Sequence, residues 1–307
     1  MDRQHGIAEL VRWDIGDGDA EQRSAQVAAD PRFADAARAL ASNFLAIGES
    51  DKALDGIFKD AGRYVVAVWA VYLHVSGGLT LPRLKDVCAA SGLVSPGRAR
   101  ALLSYLRYLG YVELLPVEGR GETARYRPTA RFLNSWRSHL RAALEAACIL
   151  EPAVAPLLDE LRHDEVFETL ARIHGENLLA SAHTTRQMDI LAAYFRVFLH
   201  RHAGSQIVWT LLTADNGAFP PQNPLPFSIS AAARRFGVSR IHVRRLLDAA
   251  EDESLLRCGA DGTVVLEEAA REAIRFLYAG QLAVLLAAAA ETMAETRELL
   301  SSAIAAQ

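Results

Sequence analysis

The sequence predicts a mainly α protein in which one unit, two short helices followed by a β-hairpin, occurs twice. Three observations carry that expectation. Alanine is abundant and aromatic residues make up only 7% of the chain, which favours helix over strand. Apolar residues recur at helical spacing over most of the length. Two segments, near 80–150 and 228–290, show one order of caps, turns and apolar positions.

The elements follow in order. Residues 1–28 are polar and mixed, with Gly16 and Gly18 marking a break. Asp30-Pro31 then has the form of an N-cap with proline in the first turn. Phe33, Ala36, Leu40, Phe44 and Leu45 follow at helical spacing, so 1–60 reads as an N-terminal helical segment. A first unit spans 61–150. An apolar helix over 62–75 stops at Gly77-Gly78. Thr80-Leu81-Pro82 opens a short helix to residue 90, and Ser95-Pro96 opens another to residue 109, closed by Gly110. Ser/Thr caps, early prolines and terminal glycines punctuate helices in this way. Residues 111–115 and 124–128 read as two strands around a Gly-rich tip, and 130–150 as a long amphipathic helix.

Residues 151–204 read as a helical linker or dimerisation region, with one apolar stripe through Leu157, Leu161, Leu170 and Ile173 and another through Met188, Leu191, Phe195 and Phe198. The stripes at 30–47 and 152–202 are apolar enough to pair two chains, so a homodimer is one expectation. A second unit spans 205–307. It has a short apolar helix at 206–213, a Pro-rich loop at 216–226, helices at 228–236 and 239–250, a strand pair around Ala260-Asp261-Gly262, and a long helix from 267 to 290.

A constant offset of 144 lays 95–111 over 239–255. Ser95 falls on Ser239, Ala99 on Val243, Leu102 on Leu246, Leu103 on Leu247, Leu106 on Ala250 and Tyr111 on Leu255. These apolar positions form the buried stripe of a helix, and each leucine buried contributes roughly 1.5–3 kcal/mol. Packing does not account for the opposite face. It carries Arg98, Arg100, Ser104 and Arg107 in the first unit, and Arg240, His242, Arg244 and Arg245 in the second. The first hairpin adds Arg120, Arg125 and Arg127. Residues 95–131 hold seven arginines against three glutamates, a net of +4 in a chain whose overall charge is −4. Arginine bonds phosphate or guanine with two parallel hydrogen bonds. Ser95 and Ser239 would cap helix N-termini that themselves favour phosphate. Double-stranded DNA is therefore the expected partner, and these thirteen residues are the expected contacts.

This arrangement resembles the winged helix-turn-helix domains of MarR-type transcriptional regulators, over roughly 60–150 and more loosely 200–295. The resemblance implies a recognition helix in the major groove, a hairpin wing along the backbone or minor groove, and dimers that read palindromes. Here one chain carries two units, which implies a fused pseudo-dimer with its recognition helices in successive major grooves. The second unit departs from the pattern: Asp248, Glu251, Asp252 and Glu253 follow its recognition helix, and Asp261 sits at its hairpin tip. Two other classes stay open, a replication initiator or chromosome-segregation factor, and a protein-interaction module that no longer touches DNA.

Other features point to less. His200 and His202 stand two apart, so they do not share a helix face, and a solvated or capping role is preferred to a metal site. Cys88 sits between Val87 and Ala89 and reads as a small buried hydrophobe. Trp69, Trp136, Trp209 and Tyr194 read first as core anchors; the resemblance to ligand-responsive regulators adds a small-molecule effector pocket as the alternative. No Gly-rich phosphate loop, nucleophile elbow or clustered cysteines appear, so an enzyme or cofactor is not expected. The opening residues lead into no apolar signal segment, and the apolar runs at 64–75 and 282–290 are short for a membrane span. A cytoplasmic protein without a membrane partner is the expectation.

Overall fold

The computed structural model describes residues 20–116, 119, 123–186 and 189–305. The chain is mainly helical, with two small antiparallel sheets. It begins with α1 (Ala20–Ala29), α2 (Phe33–Ser50), α3 (Lys52–Phe58) and α4 (Ala61–Val75). The first repeat follows as β1 (Leu79–Thr80), α5 (Leu81–Ser91), α6 (Pro96–Tyr108), β2 (Val112–Leu114), β3 (Arg125–Pro128) and α7 (Ala130–Leu150). A 3-10 turn (Pro152–Val154), α8 (Pro156–Glu160), α9 (Asp164–Arg186), α10 (Asp189–Tyr194), a π turn (Phe195–Leu199) and α11 (Gly204–Leu212) form the middle. The second repeat is β4 (Leu225–Pro226), α12 (Ile229–Arg235), α13 (Arg240–Asp252), β5 (Leu256–Cys258), β6 (Thr263–Leu266) and α14 (Glu268–Ala305).

Local chemistry sets these bounds. Asp60, Thr80, Ser95, Thr129, Ser228 and Ser239 each accept a backbone N–H of their helix's first turn. Gly92, at φ +67°, lets α5 end in the left-handed conformation that a side chain would resist. The two sheets share one topology, β1-β3-β2 and β4-β6-β5. Val112 pairs with Pro128 and Leu114 with Tyr126 in the first; Leu256 pairs with Leu266 and Cys258 with Val264 in the second. The repeat is thus a repeat of architecture. Ser95 and Ser239 occupy equivalent caps, and Ala99, Leu103, Leu106 and Tyr111 are buried like their counterparts Val243, Leu247, Ala250 and Leu255.

Several features differ from the expected elements. α1 begins within the stretch read as polar and mixed; its Ser24 and Val27 are buried, and it packs on α14. α3 was not anticipated. β1 and β4 are two residues each, too short to leave a periodicity; β4 lies inside the segment expected to be a Pro-rich loop. α14 runs to Ala305 instead of ending near 290.

One hydrophobic cluster extends from Val27 to Ala289. α2 packs on α7 and α11, while α9 packs on α4 and α14. The apolar stripe of α2 and the Leu170 and Ile173 side of α9 are consumed inside the chain. Within α14, the segment Glu268–Arg297 is long and apolar enough to cross a membrane, and 72% of its most apolar window is buried in the protein. α1, α7 and α9 cover it.

An aromatic group lies between α2, α4 and α7. The His139 ring stands 4.8 Å from both Phe44 and Trp136 and its Nε2 is 3.1 Å from the Tyr64 hydroxyl. Burial pushes His139 down to about 3, and His174, on α9, down to about 4. Both stay neutral in the fold but take up a proton when the chain unfolds, so stability is full above pH 6.5 and falls as pH drops toward those values. Between pH 7 and pH 5 each should cost about 2 kcal/mol. Urea midpoints at the two pH values check this: the His139→Gln/His174→Gln variant should lose most of the difference, and an unchanged difference would refute the assignment.

Candidate nucleic-acid interface

α6 and α13 present the side chains that the sequence singles out. Buried Ala99, Leu103 and Leu106 hold α6 against its unit, and Val243, Leu246, Leu247 and Ala250 hold α13. The opposite faces are exposed. On α6, Arg100, Ser104 and Arg107 lie one turn apart along the helix, all solvent-facing. On α13, Arg240, Arg244 and Arg245 are exposed too. Among the described residues, none of Arg100, Arg240, Arg244 and Arg245 forms a salt bridge. Their charge is directed at solvent. Arg107 lies over the Tyr126 ring, 5.8 Å from its centroid, which ties α6 to strand β3.

The other expected contacts are engaged to different degrees. Ser95 and Ser239 act as N-caps, accepting from the backbone N–H of Arg98 at 3.3 Å and of His242 at 3.0 Å. Arg127 is exposed but pairs with Glu113 across β2 and β3 at 2.5 Å. Arg125 is exposed on β3, with its guanidinium close to Gly78, where a Cβ would lie 2.9 Å from Nη2. Arg120 lies outside the described residues. Arg98 and His242 depart from the expected free face. Arg98 donates to Asp60 at 2.9 Å, and His242 is half-buried, its Nε2 donating to the His202 carbonyl at 2.7 Å. The offset that relates the repeats makes these two residues equivalents, both in the first turn of their helices.

Those two bonds belong to one strut. Asp60 caps α4, accepting from Arg63 N at 3.0 Å. Lys59, just before it, accepts the N–H of Ala203 at 2.8 Å, and Ala203 follows His202. The path from α6 to α13 therefore runs Arg98, Asp60, Lys59, Ala203, His202, His242. The Lys59 ammonium is buried and crosses to the second repeat, donating to the Phe236 carbonyl at the end of α12 at 2.7 Å. It also pairs with Asp55 at 3.1 Å, and Asp55 accepts from Gln206 at 2.7 Å. Ala203 takes a left-handed φ of +61°, and a Cβ on Gly204 would collide with the Phe198 carbonyl. This seam is tightly packed and sets how the two basic helices lie relative to each other.

The remaining sequence candidates fall into place. His200 closes the π turn, its N–H bonding the Phe195 carbonyl at 2.8 Å. Cys88 is fully buried, and burial pushes its thiol up to about 12, which removes the thiolate a redox sensor needs. Four residues escaped the sequence reading. Asp60 and Lys59 gave no signal, because their partners lie 38 and 177 residues away. Tyr108 and Ile241 are 86% and 64% exposed, large apolar side chains beside the basic faces. The hydrophobic stripe could have revealed both, since each falls off it.

Set against known proteins, the chain matches no family model, no curated protein and no solved structure.

Removing the Lys59 ammonium leaves the Phe236 carbonyl without its donor and takes the ion pair from Asp55, which keeps the Gln206 amide. Lys59→Met should lower the free energy of unfolding by about 2 kcal/mol, the range for a charge-assisted hydrogen bond. Denaturant titration measures it, and an unchanged midpoint would show that the seam does not depend on this side chain.

Proposed function

We propose that this chain is a cytoplasmic, sequence-specific DNA-binding transcriptional regulator whose two repeats act as winged helix-turn-helix units of the MarR type. The observation that carries the proposal is the exposed face of α6, which bears arginines and no carboxylate, together with the exposed Arg240, Arg244 and Arg245 on the N-terminal half of the equivalent helix α13. Solvated helix faces usually mix charge signs. Here arginines without carboxylate partners among the described residues stand on both helices, in a protein of net charge −4. Arg100 and Arg107, with Ser104 between them, fit base edges and phosphates of a major groove. Arg125 and Arg127, on the hairpin beside Arg107, suit the flanking backbone. On α13, Arg240, Arg244 and Arg245 play the same part, and Ile241 offers apolar contact to a thymine methyl. Arg98 and His242 serve as positioning residues that tie these helices to the shared strut. One chain would then supply both halves of a DNA site.

The two faces are not copies. Ser104, Arg107 and Tyr108 correspond to Asp248, Glu251 and Asp252, and those acids are exposed at the C-terminal end of α13. Negative charge there repels phosphate. A DNA site bound by this protein should be asymmetric, with the α6 half contributing more. The same acids favour a second reading, in which the second repeat binds a protein partner.

The test is genome-wide immunoprecipitation of tagged wild type and of an Arg100→Ala/Arg107→Ala variant, followed by binding isotherms on the recovered sequence. Promoter peaks should vanish in the variant, and Arg100→Ala alone should weaken binding by about 1–3 kcal/mol. Peaks confined to an origin or centromere-like region would replace regulation by replication or segregation. An absence of peaks would rule out DNA binding; an Arg244→Ala variant with unaltered affinity would assign the second repeat to a protein partner.

A further inference from the structure

The second repeat reverses the sign of its charge halfway along. Residues 228–247, which hold α12 and the N-terminal half of α13, carry five arginines and no acid, a net of +5. Residues 248–267, which hold the rest of α13 and the β5–β6 hairpin, carry six acids and one arginine, a net of −5. With 13 residues, α13 is about 20 Å long. Physiological salt screens charge over ~8 Å. A phosphate placed at one end of this helix therefore feels mainly that end.

The side-chain partners sharpen the contrast. On the hairpin, Arg257 pairs with Glu267 at 3.2 Å. Asp261 is exposed at the tip. It accepts from the Thr263 N–H at 3.1 Å and from the Thr263 hydroxyl at 2.7 Å, and these bonds hold its carboxyl below the usual range. The second wing thus presents negative charge where the first presents the exposed Arg125.

At the other end of α13 the cations are available. Arg235 is taken by Glu49 of α2 at 2.5 Å. Arg234, exposed at the end of α12, has no carboxylate partner among the described residues. Arg201 donates to the Arg245 carbonyl at 3.3 Å, which lays it against α13, and it forms no salt bridge among the described residues. The free N–H groups at the start of α13 add positive potential at this end. A duplex lying along the second wing would meet repulsion; one crossing the α12 end would meet arginines.

We propose that the second repeat engages DNA without its wing: Arg234 and Arg201 hold the flanking phosphates, and the duplex crosses the α12 end of α13, clear of the β5–β6 hairpin. This rests on the DNA-binding function proposed above and names the backbone contacts of its second half. Arginine meets a phosphate with two parallel hydrogen bonds. Such contacts fix position and carry no sequence information.

The experiment measures binding isotherms of the full chain on the immunoprecipitated sequence and on an unrelated duplex of the same length, from about 50 to 200 mM salt. Arg234→Ala should weaken both by about fivefold at physiological salt and reduce the salt slope by about 1, as one lost phosphate contact does. Arg234→Lys should keep most of the slope, and Arg201→Ala/Arg234→Ala should reduce it by about 2. Asp261→Asn should alter affinity less than about twofold, because the tip stands beyond screening distance of the phosphates. All variants should retain a cooperative melting transition. An unchanged slope in folded Arg234→Ala overturns the proposal, and so does clearly tighter binding by Asp261→Asn, which would place the wing on the backbone. Weakening confined to the immunoprecipitated sequence, with the slope unchanged, would make Arg234 a base reader and overturns it too. A wild-type chain that binds neither duplex overturns the proposed function, and this reading with it.

Discussion

The arrangement of the molecule depends on one buried ammonium group. Lys59 lies where the two repeats meet, and its charge is stable there only because the Phe236 carbonyl and Asp55 surround it. The Phe236 carbonyl belongs to the end of α12, where unpaired carbonyl groups favour a cation. Asp55 is held in turn by Gln206 of α11. Lys59 reaches the second repeat through Phe236 and Asp55 reaches α11 through Gln206, so these elements cannot slide apart without exposing a charge to apolar surroundings. The backbone reinforces this: Ala203 bonds the Lys59 carbonyl while Gly204 packs too closely against Phe198 to accept a Cβ.

The basic helices inherit their placement from that seam. Arg98 and His242, which look like free surface charges in sequence, are the brackets by which α6 and α13 attach to it. What remains free is a narrower set, Arg100, Arg240, Arg244 and Arg245, with Arg107 steadied by Tyr126. A rigid helix with a few free guanidinium groups suits selective contact. A chain with net negative charge gains little from indiscriminate attraction to phosphate.

The long helix α14 serves both repeats. It closes the second and also packs on α1, α7 and α9, which is why apolar stripes suited to pairing two chains are occupied within one. The price of this interior is polar: His139 and His174 are buried without charge, and Trp69 and Tyr278 keep donors unmet. For His139 the cost is offset by ring contacts with Phe44 and Trp136.

Local rules made much of the architecture legible. Caps at Ser95 and Ser239, the glycines after the short helices and the apolar stripes each act within a few residues, so α5, α6, α12, α13 and both hairpins could be read directly from the chain. α1 and α3 lacked a stripe long enough to stand out, and the two-residue strands β1 and β4 exist only because β3 and β6 pair with them. For the candidate site, the sequence determined which residues carry charge and which helix each occupies. Only the tertiary structure decided which of those charges are free, because Asp60, His202 and Glu113 reach their partners across the fold. It also decided which helices abut Lys59. Such contacts follow from packing between distant segments, and spacing along the chain does not encode them.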